Sequence, residues 1–326
     1  MAEAAQPLEG VLVVDLTRLL PGAFAARELR RLGARVVHVE PPEGDPLRAV
    51  APAWDRALRA GIESVTCDLR ADLPFARALC ERADVVLEGF RPGVVEALGL
   101  DPSELPRSVV WCSLTGFGEH ERHRSRAGHD LNYLGWAGVL EDTPATVPPL
   151  PVADLAAGAL GVVAEVLAAL LRRAATGRGG RLMVSMTHRS HALVDYRLRG
   201  DPRPRLLTGG AACYRTYETA DGRHLTVAAL EPRFFLRLCE LLGRPDLGGR
   251  QYEEDQERLA AELAGVFASR SLEAWLALFE SEDVCVSPVA TRAEAHADLA
   301  PWPEPPEAPA LGADTAWWRA ELGLSR

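Results

Sequence analysis

Three polar positions stand out by residue type and setting. His129 lies in the loop-like segment Gly128-His129-Asp130, with Asn132 and Tyr133 close behind. Asp154 stands ahead of a long apolar stretch, and Glu231 directly precedes Pro232. An imidazole and two carboxylates are groups that can take and return protons near neutral pH, so the set suits general acid–base chemistry. Asp154 alone could instead act as a nucleophile. Each residue also has an ordinary reading. A single histidine can be a solvated or packing residue. Asp154 can be a helix N-cap, and Glu231 a favourable charge at a helix start, since proline suits the first helical position. No regular metal-ligand spacing links the three. From the residues alone the reading reaches an α/β enzyme with a His/Asp/Glu site.

The elements that must position these residues alternate. Val11–Leu16 is a continuous apolar run of strand type, Pro21–Leu32 has helical spacing and stops at Gly33, and Val36–Val39 is a second buried strand. This is a βαβ unit with parallel strands. Strands over Ser64–Leu69, Val85–Leu87 and Val109–Leu114, with a helix over Leu73–Ala83, continue the pattern. Such alternation predicts a Rossmann-like, doubly wound sheet with helices on both faces. A proline-rich loop over Thr143–Pro151 precedes Asp154, which falls where the N-cap of a long apolar helix belongs, and RLMVSM returns as a strand.

Around Arg199–Gly210 the composition shifts to Gly, Pro and Arg, which marks the crossing into a second domain. There, Tyr214–Thr219 and His224–Leu230 flank Asp221-Gly222, a hairpin signal. Helices from Pro232, Gln256 and Leu272 and a short strand at Cys285–Val289 follow. The expected organisation is therefore an α/β large domain over 1–200, with 300–326 packing back on it, and a smaller α+β domain over 207–297. Pro301–Pro309 is an extended connector, and the stretch from Asp314 is helical.

Composition narrows the chemistry. The chain has 326 residues, 48% hydrophobic and 25% charged, enough for two ordinary globular domains. Its formal charge of −10 argues against general affinity for nucleic acid or a membrane surface. All 36 basic residues are arginine, which excludes Schiff-base chemistry and the phosphate loop that needs a lysine. The six cysteines (67, 80, 112, 213, 239, 285) form no C-x-x-C pair and read as reduced thiols. The start, MAEAAQPLEG, lacks a basic region followed by an apolar run, so the expectation is a cytoplasmic protein. Leu155–Leu171 is interrupted by Glu165 and ends at Arg172-Arg173, a buried helix rather than a membrane span.

A resemblance adds to this reading. LEGVLVVDLTRLLPG, RLGARVVHVEPP, ADVVLEGFRPGVVEALGL, SLTGFG, AGHDLNYLGWAGVL, TYETADGR, LEPRFF and DVCVSPV occur in order. On these segments the chain resembles the CaiB/BaiF family, the class III CoA-transferases, and within it the α-methylacyl-CoA racemase branch. The resemblance implies an isomerase that moves the α-proton of an acyl-CoA between two bases. His129 would serve one face of the carbon and Asp154 the other, with Glu231 holding the imidazole. It also implies an interlocked homodimer and coenzyme A as part of the substrate, with no other cofactor. Arg48, Arg91, Asp130 and Tyr133 are the candidate substrate- and CoA-binding residues. Backbone N–H groups near Asp130 or at the helix opening by Asp154 are candidates to steady an enolate oxygen.

The sequence departs from the family where coenzyme A is gripped. A basic segment before the third strand here reads Arg59-Ala60-Gly61-Ile62-Glu63-Ser64, and the basic residue ending the second strand is His38. The alternatives are a CoA-transferase using Asp154 as nucleophile, or a repurposed member acting on an acyl group borne by a carrier protein or on a non-CoA substrate.

Overall fold

The computed structural model describes residues 6–119, 122–202, 205–299 and 306–324. The chain divides into two compact units, Met1–Tyr196 with Glu304–Arg326, and Arg197–Pro303.

The first unit is built on six parallel strands in the order β3-β2-β1-β4-β5-β6. They are β1 (Leu12–Asp15), β2 (Arg35–Glu40), β3 (Glu63–Thr66), β4 (Val85–Glu88), β5 (Val110–Thr115) and β6 (Gly180–Ser185). The expected α/β sheet is present, with each strand within a few residues of its predicted span. The central strands β1, β4 and β5 read as largely apolar runs because both faces are covered. Neighbouring residues point to opposite faces. Val13, Val36, Val85 and Val110 join one apolar cluster, whereas Val14, Val37, Val86 and Trp111 join another.

The connecting helices are α1 (Leu19–Arg31), α2 (Pro46–Val50), α3 (Pro52–Arg59), α4 (Leu73–Arg82), α5 (Val94–Ala97), α6 (Asp130–Trp136), α7 (Leu160–Thr176) and α8 (Met186–Ala192). Ala25, Ala26 and Leu29 of α1 and Val162 and Val166 of α7 cover the first face, and Phe75 and Leu79 of α4 cover the second. The helical run Ala153–Thr176 is long and apolar enough by composition to cross a membrane, with a mean hydropathy of 1.9. Here its buried side packs on the sheet cluster.

The second unit, described by itself, carries an antiparallel sheet of β7 (Tyr214–Glu218), β8 (His224–Ala228) and β9 (Val286–Pro288). Helices α9 (Pro232–Leu241), α10 (Gln256–Phe267), α11 (Leu272–Phe279) and α12 (Arg292–Asp298) accompany it. The Asp221-Gly222 turn joins β7 to β8, with φ of 71° at Gly222. A core of Phe235, Leu238, Leu263, Phe267 and Trp275 fills this unit.

Of the expected connector over 301–309, residues 301–305 lie outside the described residues, and 306–309 have no regular structure. A C-terminal helix, Thr315–Glu321, then packs on the edge strand β3 of the first unit. Asp314 Oδ2 accepts from the Ser64 N–H at 2.8 Å, and Thr315 Oγ1 accepts from the Thr66 N–H at 2.9 Å. Trp318 is buried and donates its indole N–H to Glu63 Oε2 at 2.7 Å. Replacing Trp318 with Ala removes the anchor from this edge. It is expected to cost about 3–5 kcal/mol, the range for emptying an aromatic site in a core. A urea titration followed by fluorescence measures the loss, and a change below about 1 kcal/mol would show that the helix is not part of the folded unit.

Candidate active site

In open parallel sheets, ligands bind beyond the carboxyl ends of the strands, where the strand order reverses. Here the reversal lies between β1 and β4, which pair directly although β2 and β3 separate them in sequence. A cleft of about 520 Å³ sits there. Thr17–Gly22 after β1, Gly89–Pro92 after β4, and Gly116 and Phe117 after β5 form its walls. His129, Tyr133 and Asp154 complete it. Two of the three polar residues singled out in the sequence therefore share one cleft.

His129 is exposed and stands at the N-cap of α6, where its backbone N–H donates to Asn132 Oδ1 at 3.1 Å. Its loop is fixed from behind by Tyr133, which is buried and donates its hydroxyl to the Gly128 carbonyl. The ring lies so close to Gly116 that a Cβ there would fall 2.5 Å from it, so only glycine fits. Burial pushes the Tyr133 phenol up to about 12, which keeps it a protonated donor.

Asp154 is not an N-cap. It lies in a π-helical turn, Ala153–Ala159, that widens the start of the long helix before α7 begins. The first residue of the run is preceded by Val152, with no side-chain cap. Turns of this kind recur at functional sites because they reposition a side chain without breaking the helix. Burial, and then the negative charge of Asp130, push the Asp154 carboxyl up to about 7. The charged form is thus populated only near and above neutrality.

Three expectations need correction. Asp130 is not among the cleft-lining residues; its Oδ1 accepts the Asp154 N–H at 2.9 Å. The same bond occupies the Asp154 amide, which removes it as a donor to an enolate oxygen. Arg48 also lies away from the cleft lining. Its guanidinium holds Glu40 through two bonds, Nε to Oε2 at 2.6 Å and Nη2 to Oε1 at 2.7 Å. Glu40 is buried, and an unpaired charge there would be costly. Arg48 is thereby committed to the fold. Glu231 belongs to the second unit, exposed at the position preceding α9, with no side-chain cap bond.

Arg91 does line the cleft, and sequence reasoning missed its companions Arg18, Arg124 and Arg126. The arginine-dense run His123–Arg126 directly before Ala127-Gly128-His129 was the available signal. None of these four guanidiniums has an ion-pair partner among the described residues, whereas Arg35, Arg59, Arg77 and Arg173 each face a carboxylate. Arg18 lies over the Phe90 ring and Arg126 over the Trp136 ring, each 5.6 Å from the centroid. Unpaired guanidinium forks suit phosphate or carboxylate oxygens. Glu88 was also missed. Burial pushes it up to about 7, and its Oε2 accepts the Phe90 N–H at 2.7 Å, bracing the Gly89–Pro92 wall.

The raised Asp154 value has a consequence for stability. The folded protein holds this proton more tightly than the unfolded chain, whose ordinary value is 3.8. Ionising Asp154 between about pH 4 and pH 7 therefore costs stability, a cost fully present above about pH 7. Asp154→Asn removes it, so the Tm of the variant minus that of the parent protein is expected to rise across this window. Thermal unfolding at pH 4.5 to 8 measures it; a constant difference contradicts a carboxyl titrating near 7.

Residues 8–301 match the family model for CoA-transferase family III. An α-methylacyl-CoA racemase of Mus musculus is 34% identical over 308 residues, 88% of this chain and 79% of the relative. A succinyl-CoA:glutarate CoA-transferase of Homo sapiens is 28% identical, covering 87% of this chain and 72% of its own length. Among solved structures, a CaiB/BaiF family protein from Brucella suis superposes with a TM-score of 0.81 at 25% identity, covering 97% of this chain and 99% of that one. With nine-tenths of its length matched, the chain belongs to CoA-transferase family III.

Proposed function

We propose that this protein is an isomerase that moves the α-proton of a 2-methylacyl thioester of coenzyme A, with His129 and Asp154 as the two bases. The observation that carries this reading is the presence of both residues on one cleft at the strand reversal. Abstraction beside a thioester carbonyl leaves an enolate, and return of a proton to the opposite face inverts the carbon. A group works best as base and acid in turn when its pKa lies near the working pH. Asp154, pushed up to about 7, meets that condition. Asp130 contributes indirectly, by its charge and by holding the Asp154 amide. Arg18, Arg91, Arg124 and Arg126 supply a positive wall for the phosphates of the carrier. No cofactor other than the substrate's own coenzyme A enters. The racemase relatives, 34% and 35% identical over most of the chain, support the same reading.

The homodimer and the role of Glu231 in steadying the His129 imidazole belong to this proposal too. A second reading draws on the transferases among the relatives. In it, Asp154 attacks the thioester carbonyl and expels the coenzyme A thiolate; the acceptor carboxylate then displaces the donor acid from the acyl-aspartyl anhydride, and the thiolate attacks the acceptor carbonyl, giving the new thioester and freeing Asp154. A carrier-bound acyl thioester is the remaining variant of the substrate, separated by comparing acyl-CoA with acyl-pantetheine.

The test follows one enantiomer of a 2-methylacyl-CoA, first alone and then with an added carboxylic acid. The isomerase reading expects loss of optical purity, slowed by about 10²–10⁴-fold in His129→Ala, the range for a positioned acid–base group. Retained optical purity, with coenzyme A passing to an added carboxylic acid at an undiminished rate in His129→Ala, would establish the transferase instead.

A further inference from the structure

Leu19 sits on the cleft wall with φ of 65°, in the left-handed region that residues with a Cβ avoid. Such a backbone persists only where its surroundings over-determine it. Here the surroundings are buried charges. The Leu19 N–H faces both oxygens of Asp45, at 3.3 and 3.2 Å. Asp45 is 2% exposed and held in turn: Oδ1 accepts the Leu47 N–H at 2.7 Å and Oδ2 accepts Arg59 Nη2 at 2.8 Å. Arg59, 1% exposed, also donates Nε to Asp55 Oδ1 at 2.8 Å. His38 bridges to the preceding strand, with Nδ1 2.9 Å from Asp15 Oδ2 and Nε2 3.6 Å from Asp45 Oδ2.

The other side of the turn is clamped as well. Asp15 Oδ1 accepts both the N–H and the hydroxyl of Thr17, at 2.9 and 2.5 Å. Thr17 then packs so tightly on the first turn of α1 that a Cβ at Gly22 would fall 1.8 Å from its Oγ1. The chain from Asp15 to Gly22 is thus gripped at both ends, and Leu19–Gly22, its outer part, is cleft wall. Replacing buried ion pairs with apolar residues is often neutral or stabilising, so fold stability alone gives weak reason for so much buried charge.

We infer that Asp45 is a positioning residue. From inside the fold it pins Leu19 in the left-handed conformation and so sets the wall against which the acyl thioester lies. This rests on the proposed reading of the cleft as the thioester site. The backbone of Leu19, more than its side chain, is what the cluster controls.

The test compares Leu19→Gly, Leu19→Val, Asp45→Asn and the double variant Asp45→Asn/Leu19→Gly in the full chain. Valine keeps an apolar side chain but resists the left-handed region, whereas glycine enters it without steric cost. Leu19→Val is expected to lose at least about tenfold in kcat/KM with a 2-methylacyl-CoA, mainly through KM, and Leu19→Gly to lose less. Asp45→Asn should lose a similar factor, and adding Leu19→Gly should recover part of it. Leu19→Gly falling below Leu19→Val, or no recovery in the double variant, overturns the inference. If Asp45→Asn does not fold, the order of the two Leu19 variants decides. If the parent protein does not turn over the thioester, calorimetric affinity for coenzyme A is read in the same order. The expected order would then sustain the inference while the isomerase reading fails, and turnover with the order reversed would do the opposite.

Discussion

The candidate site depends on one topological constraint: a parallel sheet whose strand order reverses between β1 and β4 leaves a gap at its carboxyl edge. Three connections leave that edge as cleft walls, and each is braced by a different device. Behind the β1 wall lies the Asp15–His38–Asp45–Arg59 cluster. The β4 wall leans on the Glu88 carboxyl through the Phe90 amide. The loop beyond β5 is held by Tyr133, whose hydroxyl reaches Gly128 and whose ring lies on Gly116. A site built this way places His129 and Asp154 on a loop and a helix start, above strand ends that carry the buried Asp15, His38 and Glu88.

Electrostatics then separates the roles of residues that look alike in sequence. Asp154 and Asp130 are both carboxylates within one hydrogen-bonded unit. Asp130 accepts the Asp154 amide, and its charge helps raise Asp154 towards neutrality. Arginines divide similarly. Arg48 and Arg59 are consumed by buried carboxylates, whereas Arg18, Arg91, Arg124 and Arg126 face the cleft. In a chain of net charge −10, that local concentration of positive charge is what an anionic carrier group would meet.

Much of this fold was legible in the sequence because parallel strands buried on both faces read as continuous apolar runs, as in VLVVDL and VVWCSL. The hairpin at Asp221-Gly222 was legible from turn chemistry. The candidate site was legible only in part. His129, Tyr133, Asp154 and Arg91 reach the cleft, but Asp154 as an N-cap was wrong, since a π turn leaves no periodic signature distinct from an ordinary helix start. Arg48 was read as a carrier contact because its pairing with Glu40 joins a strand end to a separate helix, and the apolar pattern of neither element marks it. Leu19 was invisible for a deeper reason. Nothing in TRLLPG marks a left-handed leucine, since the force that holds it comes from Asp45, 26 residues on.

The central claim is that His129 and Asp154 act on opposite faces of one carbon. The most direct measurement is α-deuterium uptake in D₂O from each enantiomer of a 2-methylacyl-CoA, using His129→Ala and Asp154→Asn separately. Two bases on opposite faces predict that each variant exchanges the α-proton of one enantiomer only, without inversion, and that the two variants choose opposite enantiomers. Exchange of both enantiomers by either variant, or the same enantiomer by both, would contradict the account.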